Sequence, residues 1–224
     1  MPGKPTLACQ RAGHSMTPQR AAGITLATAL TAIFAAAVAC YAPPAQSAPA
    51  ASSLASPDLA SGRFDSRFIL SSFGCHGGNL SPALAWSHAP AGTRRFAIQM
   101  IDLDAPNGGF WHWAVYDLPD TATGLPRGAG NLASRLPAPA YGGNTDFRDT
   151  GAAGWEGGYA GPCPPRGDAP HRYRITIYAY AADRLAEAGG IPRTGSAALY
   201  AFVLDRGLGE RLLGKASITA TAAR

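Results

Sequence analysis

The sequence predicts a mostly β protein: an antiparallel β-sandwich with a C-terminal helix and long glycine-rich loops. Beyond residue 63, short runs rich in β-branched and aromatic residues alternate with turns that contain Gly, Pro or Asn. Residues 123–165 are glycine-rich and lack periodicity, and a loop of that length is usually functional or forms a binding lid. Several strands followed by a single helix argue against a wound α/β sheet, in which strands and helices alternate.

Six runs have the composition of strands, and turn signals such as Pro90-Ala91-Gly92 and Asn107-Gly108-Gly109 separate them. The predicted strands are 67–72, 83–87, 94–102, 112–118, 172–181 and 215–220.

One helix is predicted near the C-terminus. Thr194 or Ser196 can cap its start, and Gly207 can end it. Its apolar residues at positions i, i+3 and i+4 are Leu199, Phe202 and Val203.

Residues 1–47 predict a secretory signal peptide. Arg20 precedes an uncharged, alanine-rich run, and small residues follow it at two cleavage positions, after Ala39 and after Ser47. A lipoprotein signal that ends before Cys40 is an alternative, and Met16 is an alternative start. An uncleaved membrane anchor is a further reading, because the run is close to the roughly 20 residues that span a bilayer.

Composition divides the remainder into a flexible spacer of Ala, Pro and Ser, residues 48–62, and one domain, residues 63–224. Lys4, Arg11 and Arg20 precede residue 48 and no acidic residue does. Of the 19 basic and 14 acidic residues, 16 and 14 remain after it, a net charge of about +2. This balance, with dispersed arginines, predicts no nucleic-acid partner.

Two of the four cysteines, Cys75 and Cys163, lie in the predicted domain. An even number in an exported chain permits a disulfide, and two free buried thiols are the alternative. Neither cysteine belongs to a Cys-x-x-Cys pair, which argues against zinc and against thioredoxin-type chemistry.

Polar residues gather in two segments, Asp102 to Trp113 and Gly161 to Tyr173, next to predicted strands. Because side chains alternate along a strand, Asp102 follows the apolar face of Phe96, Ile98 and Met100. His171 and Tyr173 likewise begin the face that Ile175, Ile177 and Ala179 continue. By the same rule His112 shares a face with Ala114, Tyr116 and Leu118. Polar groups at three strand ends predict a small concave site.

These motifs resemble the phosphatidylethanolamine-binding protein family, in its bacterial Raf-kinase-inhibitor-like branch, from about Phe64 to Ala220. The matching motifs are Asn79-Leu80-Ser81-Pro82 with Trp86, Asp102-Leu103-Asp104-Ala105-Pro106, Trp111-His112-Trp113, Gly161-Pro162-Cys163-Pro164-Pro165, His171-Arg172-Tyr173 and Leu213-Gly214-Lys215-Ala216. One departure is Leu103, where the family usually has Pro; its absence removes the residue that would favour a cis peptide there.

The resemblance implies an exported protein that binds a small anion or a phospholipid head group and needs no cofactor or metal. The implied pocket residues are Asp102, Asp104, Pro106, His112, Pro165, His171 and Tyr173, with Phe110 and Trp111 near the mouth. In this reading the aspartates orient the histidines and favour their charged form. Modulation of another protein, such as a kinase or protease, and a homodimer are further expectations.

Two other functions use the same residues. In the first, Asp102, His112 and His171 form the acid–base set of a hydrolase, although no Gly-x-Ser-x-Gly elbow or other nucleophile accompanies them. The second is a metal site built from these three residues and Asp104. The sequence favours a binding protein over an enzyme, because polar groups without a nucleophile seldom make a hydrolase.

Overall fold

Two antiparallel sheets, of three and five strands, organise the described part of the chain, residues 52–150, 152 and 157–224. In this computed structural model the described residues all belong to one unit, Ser47–Arg224. The strands are β1 (Ser53–Ala55), β2 (Leu84–Ser87), β3 (Arg95–Asp102), β4 (Phe110–Pro119), β5 (Gly124–Leu125), β6 (Tyr141–Gly142), β7 (His171–Tyr180) and β8 (Leu212–Ala222).

The two sheets pack face to face, which confirms the predicted sandwich. The smaller sheet has the order β1-β2-β5 and the larger β6-β4-β3-β7-β8. Side chains of both sheets share one core, in which Leu54 and Trp86 of the smaller sheet meet Ile98 and Ile175 of the larger. The apolar face predicted for β3 therefore lies between the sheets.

Two short helices cover the other face of the larger sheet: α1 (Leu185–Gly189) and α2 (Ala197–Phe202), the latter continued by a π-helical turn over Val203–Gly207. The predicted cap is present, because the Ser196 hydroxyl accepts from the Leu199 N–H at 3.2 Å. Of the predicted apolar face only Val203 is buried, whereas Leu199 and Phe202 are exposed. Tyr200 and Leu204 pack on the sheet instead.

Helix α1 was not predicted, since five residues are too few to show a helical period. None of the helices among the described residues combines the length and the apolar character that crossing a bilayer requires.

Four predicted strands correspond to β2, β3, β4 and β7, and the strand predicted over 215–220 extends to Leu212–Ala222 in β8. The strand predicted over 67–72 is wrong, because this segment is a series of turns. Its Phe68 and Leu70 are fully buried, yet the backbone folds back on itself. The Gly78 N–H donates to the Ser66 carbonyl at 2.8 Å, and the Gly77 N–H donates to Leu70 at 2.9 Å.

The predicted spacer over 48–62 is corrected in the part that the structure describes. Strand β1 pairs with β2, and Leu54 and Leu59 are buried in the core between the sheets. The Asp58 carboxylate also accepts from the Ala83 N–H at 2.8 Å. Two isolated leucines in an Ala/Ser/Pro segment gave no periodic signal. Residues 48–51 and the predicted signal peptide, with Cys40 and both cleavage positions, lie outside the described residues.

Candidate functional site

A cavity of about 270 Å³ lies at one end of the larger sheet. The end of β3 lies between the starts of β4 and β7 there, and Asp102 pairs in register with Phe110 and with Tyr173. The wall is largely apolar with a few polar groups. Its residues are Leu70, Phe73, Asp102, Ala105, Pro106, Phe110, His112, Phe147, Thr150, Cys163, Pro164, Pro165, His171 and Tyr173.

An irregularity in β4 brings His112 into this cavity. Met100 pairs with Trp113 whereas Ile101 pairs with Trp111, so His112 is an extra residue in the ladder. Such a β-bulge changes the direction in which a side chain points. The predicted shared face of His112, Ala114, Tyr116 and Leu118 is therefore wrong: Ala114 and Tyr116 pack towards the helices, while the His112 ring lies 5.1 Å from that of Tyr173.

Two carboxylates flank the buried His171. Its Nδ1 lies 2.7 Å from Oδ2 of Asp102, and its Nε2 lies 3.4 Å from Oδ2 of Asp168. Burial alone would lower the pKa of this imidazole, but the hydrogen bonds to Asp102 and Asp168 outweigh it and raise the pKa above its usual value. The imidazolium form, with both ring nitrogens as donors, is thereby favoured.

The environment of His112 acts in the opposite direction. Its Nδ1 lies 2.9 Å from the carbonyl oxygen of Ala160, and a carbonyl can only accept, so Nδ1 carries the proton. Burial lowers the pKa of this imidazole despite that hydrogen bond and the nearby Asp102. His112 is therefore neutral, and its Nε2 carries a lone pair. The expectation that both histidines are charged is corrected at this residue.

The Tyr173 hydroxyl is buried and has no hydrogen-bond partner of ordinary geometry among the described residues. Burial first, and then the negative charge of Asp102, raises the pKa of this phenol, which remains a donor at any physiological pH. A buried donor without a partner costs about 1 to 3 kcal/mol. Tyr173 also lines the cavity, so a ligand that reaches this hydroxyl would supply the missing acceptor.

The structure brings seven of the nine predicted pocket residues to the cavity: Asp102, Pro106, Phe110, His112, Pro165, His171 and Tyr173. Asp104 does not line it. Its carboxylate accepts from the Arg172 backbone N–H and from its guanidinium, both at 2.7 Å, and these bonds lower the pKa of Asp104 to about 2. Trp111 does not line it either, because this indole packs on the face that the helices cover.

The four residues considered as metal ligands are not brought together, since Asp104 faces Arg172. Within the described ranges no three His, Cys, Asp or Glu side chains have a metal-binding arrangement.

Several wall residues were not predicted. Phe147 and Thr150 belong to the long loop over residues 123–165, which the sequence predicted to be functional or a binding lid. The sequence did not indicate which side chains of this loop point into the cavity. Phe73 has a left-handed backbone, with φ of 53°, and its side chain is 60 % exposed at the rim. Asp168 precedes His171 by three residues, and that spacing was the available signal for it.

Cys75 and Cys163 form a disulfide that joins the loop of Phe73 to the segment of Pro164 and Pro165. The cavity wall therefore includes one half of a covalent bridge, Cys163. Of the two alternatives that the sequence left open, a disulfide and two free buried thiols, the structure has the disulfide.

At Leu103, the departure from the family motif, the backbone makes a bond that Pro cannot make. The Leu103 N–H donates to the Arg172 carbonyl at 2.9 Å, which adds a hydrogen bond beyond the end of β3. Among the described residues the cis peptide is at Ala138–Pro139, so the Asp102–Leu103 bond is trans.

Comparison with known proteins gives consistent results. A family model described as phosphatidylethanolamine-binding protein matches residues 60–222. The UPF0098 protein YbcL of Escherichia coli K12 is 41 % identical over 139 residues, which cover 61 % of this chain and 70 % of YbcL. The crystal structure of E. coli YbcL, described as a new member of the mammalian PEBP family, superposes with a TM-score of 0.66 at 34 % identity. That match covers 78 % of this chain and 99 % of the YbcL chain.

A more distant relative is the putative lipoprotein LppC of Mycobacterium tuberculosis H37Rv. It is 37 % identical over 107 residues, which cover 47 % of this chain and 46 % of LppC.

Proposed function

Because the chain belongs to the phosphatidylethanolamine-binding protein family, we propose that it is a binding protein whose cavity holds a small anion, such as the phosphate of a phospholipid head group. The observation that carries the proposal is a pair of donors in the cavity wall: the His171 imidazole held by Asp102, and the Tyr173 hydroxyl, which makes no hydrogen bond of ordinary geometry among the described residues. An anion supplies the acceptor that this group lacks.

The neighbouring imidazole supports the same ligand class. Asp102 binds Nδ1 of His171 and leaves Nε2–H as the donor that a ligand can use. The two carboxylates raise the pKa of this ring, so at a given pH it is cationic more often than a free histidine is. An anion held by His171 and Tyr173 thus receives one charged and one neutral hydrogen bond.

The neutral His112 adds a selective element. Its lone pair at Nε2 accepts a hydrogen bond, so the cavity prefers a ligand that presents a proton as well as negative oxygens. A singly protonated phosphate and an alkylphosphate monoanion both have this pattern; in an intact phospholipid, whose phosphodiester carries no proton, an N–H or O–H of the head-group alcohol would supply it. The rings of Phe110 and Phe147, whose centroids lie 4.9 Å apart, give the organic part of such a ligand an apolar surface.

Export of the chain is part of the proposal. The predicted signal peptide and the Cys75–Cys163 disulfide both fit an oxidising compartment. LppC is named as a lipoprotein, which supports export in this group of relatives. Modulation of a partner protein and homodimer formation remain predictions from the family.

No observation favours the hydrolase alternative. Cys163 is held in the disulfide, and the Thr150 hydroxyl donates to the Phe147 carbonyl at 2.8 Å. The described cavity wall therefore has no activated nucleophile of the serine or cysteine type.

Calorimetric titration of the Tyr173→Phe variant with inorganic phosphate tests the proposal. Loss of one hydrogen bond to an anion should weaken binding by about tenfold, on the scale of about 1.5 kcal/mol. The matched control is Tyr178→Phe, a buried tyrosine of the same strand that packs towards the helices. The proposal fails if wild-type protein binds neither phosphate nor phosphorylethanolamine, or if both variants bind phosphate as the wild type does.

A further inference from the structure

Asp168 approaches His171 from the ring edge opposite Asp102. Its Oδ2 lies 3.4 Å from Nε2, the nitrogen that the proposed function assigns to the ligand. The two partners differ in burial: the His171 side chain is 7 % exposed, and that of Asp168 is 49 % exposed. The side chain of Asp102 is 5 % exposed, so this carboxylate is fixed inside the protein, whereas that of Asp168 reaches inwards from the solvent.

The charges around His171 determine how this contact with Asp168 affects the binding of an anion. Asp102 and Asp168 carry two negative charges beside one imidazolium, while His112 and Tyr173 are neutral. Asp104 is nearby, but Arg172 compensates its charge. An anion that approaches Nε2 of His171 therefore meets the negative charge of Asp168 at the position where the anion would bind, while the guanidinium of Arg224 lies further out, against Phe73 and Cys163.

We propose that Asp168 is an internal competitor for the anion site: its carboxylate accepts the His171 Nε2–H in the free protein, and a bound anion displaces it. The proposal rests on the function proposed above and identifies Asp168 as the residue that sets the affinity for anions.

The surroundings of Asp168 allow such an exchange. It follows Gly167, which has a φ of +92° and open space at the position of a side chain, and the Asp168 side chain is itself half exposed. A displaced carboxylate returns to water, and exposed ion pairs are weak enough to be broken by a ligand. The cost grows with the negative charge of the ligand, because the displaced Asp168 stays close to the site.

The test compares the affinity of inorganic phosphate for wild type, Asp168→Ala and Asp168→Glu at about pH 6, below the usual pKa of histidine. Asp168→Ala removes the competitor and should bind phosphate at least about threefold more tightly, the scale of an exposed ion pair. Asp168→Glu keeps a carboxylate and should bind within about twofold of wild type. Asp183→Asn is the control, because Asp183 is similarly exposed and pairs with the distant Arg94.

A second readout does not depend on the ligand. Histidine NMR titration of the free protein should show a lower pKa for His171 in Asp168→Ala than in wild type, and an unchanged pKa for His112. Equal or weaker phosphate binding by Asp168→Ala at about pH 6, with wild type still binding, overturns the competition. An unchanged pKa of His171 also overturns it. If no protein binds phosphate while the pKa of His171 shifts as expected, the proposed function fails and the Asp168–His171 pairing stands.

Discussion

Nδ1 of His171 lies 2.7 Å from Oδ2 of Asp102, and both side chains are more than nine-tenths buried. Asp102 also accepts the Asp104 backbone N–H through its Oδ1, so its carboxylate is fixed from two sides. The pair sets the orientation of the imidazole and leaves Nε2 as the only ring nitrogen free to exchange partners. The Asp102–His171 pair therefore contributes both to the stability of the fold and to the positive charge in the cavity.

Asp102→Asn should destabilise the protein by about 1.5 to 3 kcal/mol, because a charge-assisted buried hydrogen bond becomes a neutral one. The raised pKa of His171 fixes the pH dependence: its contribution is complete below about pH 6.5 and is lost as pH rises through the folded-state pKa. Urea unfolding of wild type and variant at several pH values measures this difference. The control is Asp205→Asn, which breaks the exposed pair with Lys215 and should cost at most about 1 kcal/mol. If the cost of Asp102→Asn does not become smaller at high pH, Asp102 does not stabilise the protein by pairing with a cationic His171.

Sulfate binding should weaken as pH rises through the raised pKa of His171, because the cationic donor is lost. Sulfate isolates the charge of His171, since its own charge is constant between about pH 5 and about pH 9, although it has no proton for His112 and should bind more weakly than phosphate. Calorimetry across this range measures the effect, and His171→Gln, which cannot become cationic, is the control. A wild-type affinity that does not change with pH would show that the charge of His171 is not used.

His112 should be neutral at neutral pH, with the proton on Nδ1, because burial lowers its pKa and the Ala160 carbonyl accepts from Nδ1. Nitrogen chemical shifts of the imidazole distinguish this tautomer from the imidazolium. The surface residue His76 provides an internal reference. Two protonated nitrogens on His112 at neutral pH would refute the role of Nε2 as an acceptor.

Leu103→Pro should cost about 0.5 to 1.5 kcal/mol, because the Leu103 N–H loses its bond to the Arg172 carbonyl. Thermal unfolding measures the loss. Leu103→Ala keeps the N–H and is the control for the side chain. If the proline variant is as stable as the alanine variant, this hydrogen bond does not contribute.

Reduction of the disulfide should destabilise the domain by about 2 to 4 kcal/mol, the usual effect of opening a long covalent loop. Phosphate binding should weaken as well, because Cys163 lies in the cavity wall. Unfolding with and without reductant measures the first effect, and a Cys75→Ser/Cys163→Ser protein should not respond to reductant. Two thiols of the domain that alkylate freely in the native protein would refute the bridge.

The sequence allowed the sandwich and much of the cavity wall to be predicted, because β3 and β7 alternate without interruption. Asp102 and Tyr173 could be placed on an inward face for that reason. The bulge at His112 could not be predicted, since it depends on how Met100 and Ile101 pair across the sheet. Strand β1 was not predicted for a related reason: Leu54 has no periodic neighbours, and its burial depends on the pairing with Trp86.

The polar and the apolar parts of the cavity wall come from different parts of the chain. Sheet strands provide Asp102, His112, His171 and Tyr173, whereas loops provide much of the apolar rim, including Phe73, Phe147 and Pro165. The chemistry that recognises a charge and the shape that admits an organic group are therefore encoded separately. An engineer who exchanged the rim residues would change which molecules fit, and the hydrogen-bonding pattern at the base would stay the same as long as the loop partners Ala160 and Asp168 were kept.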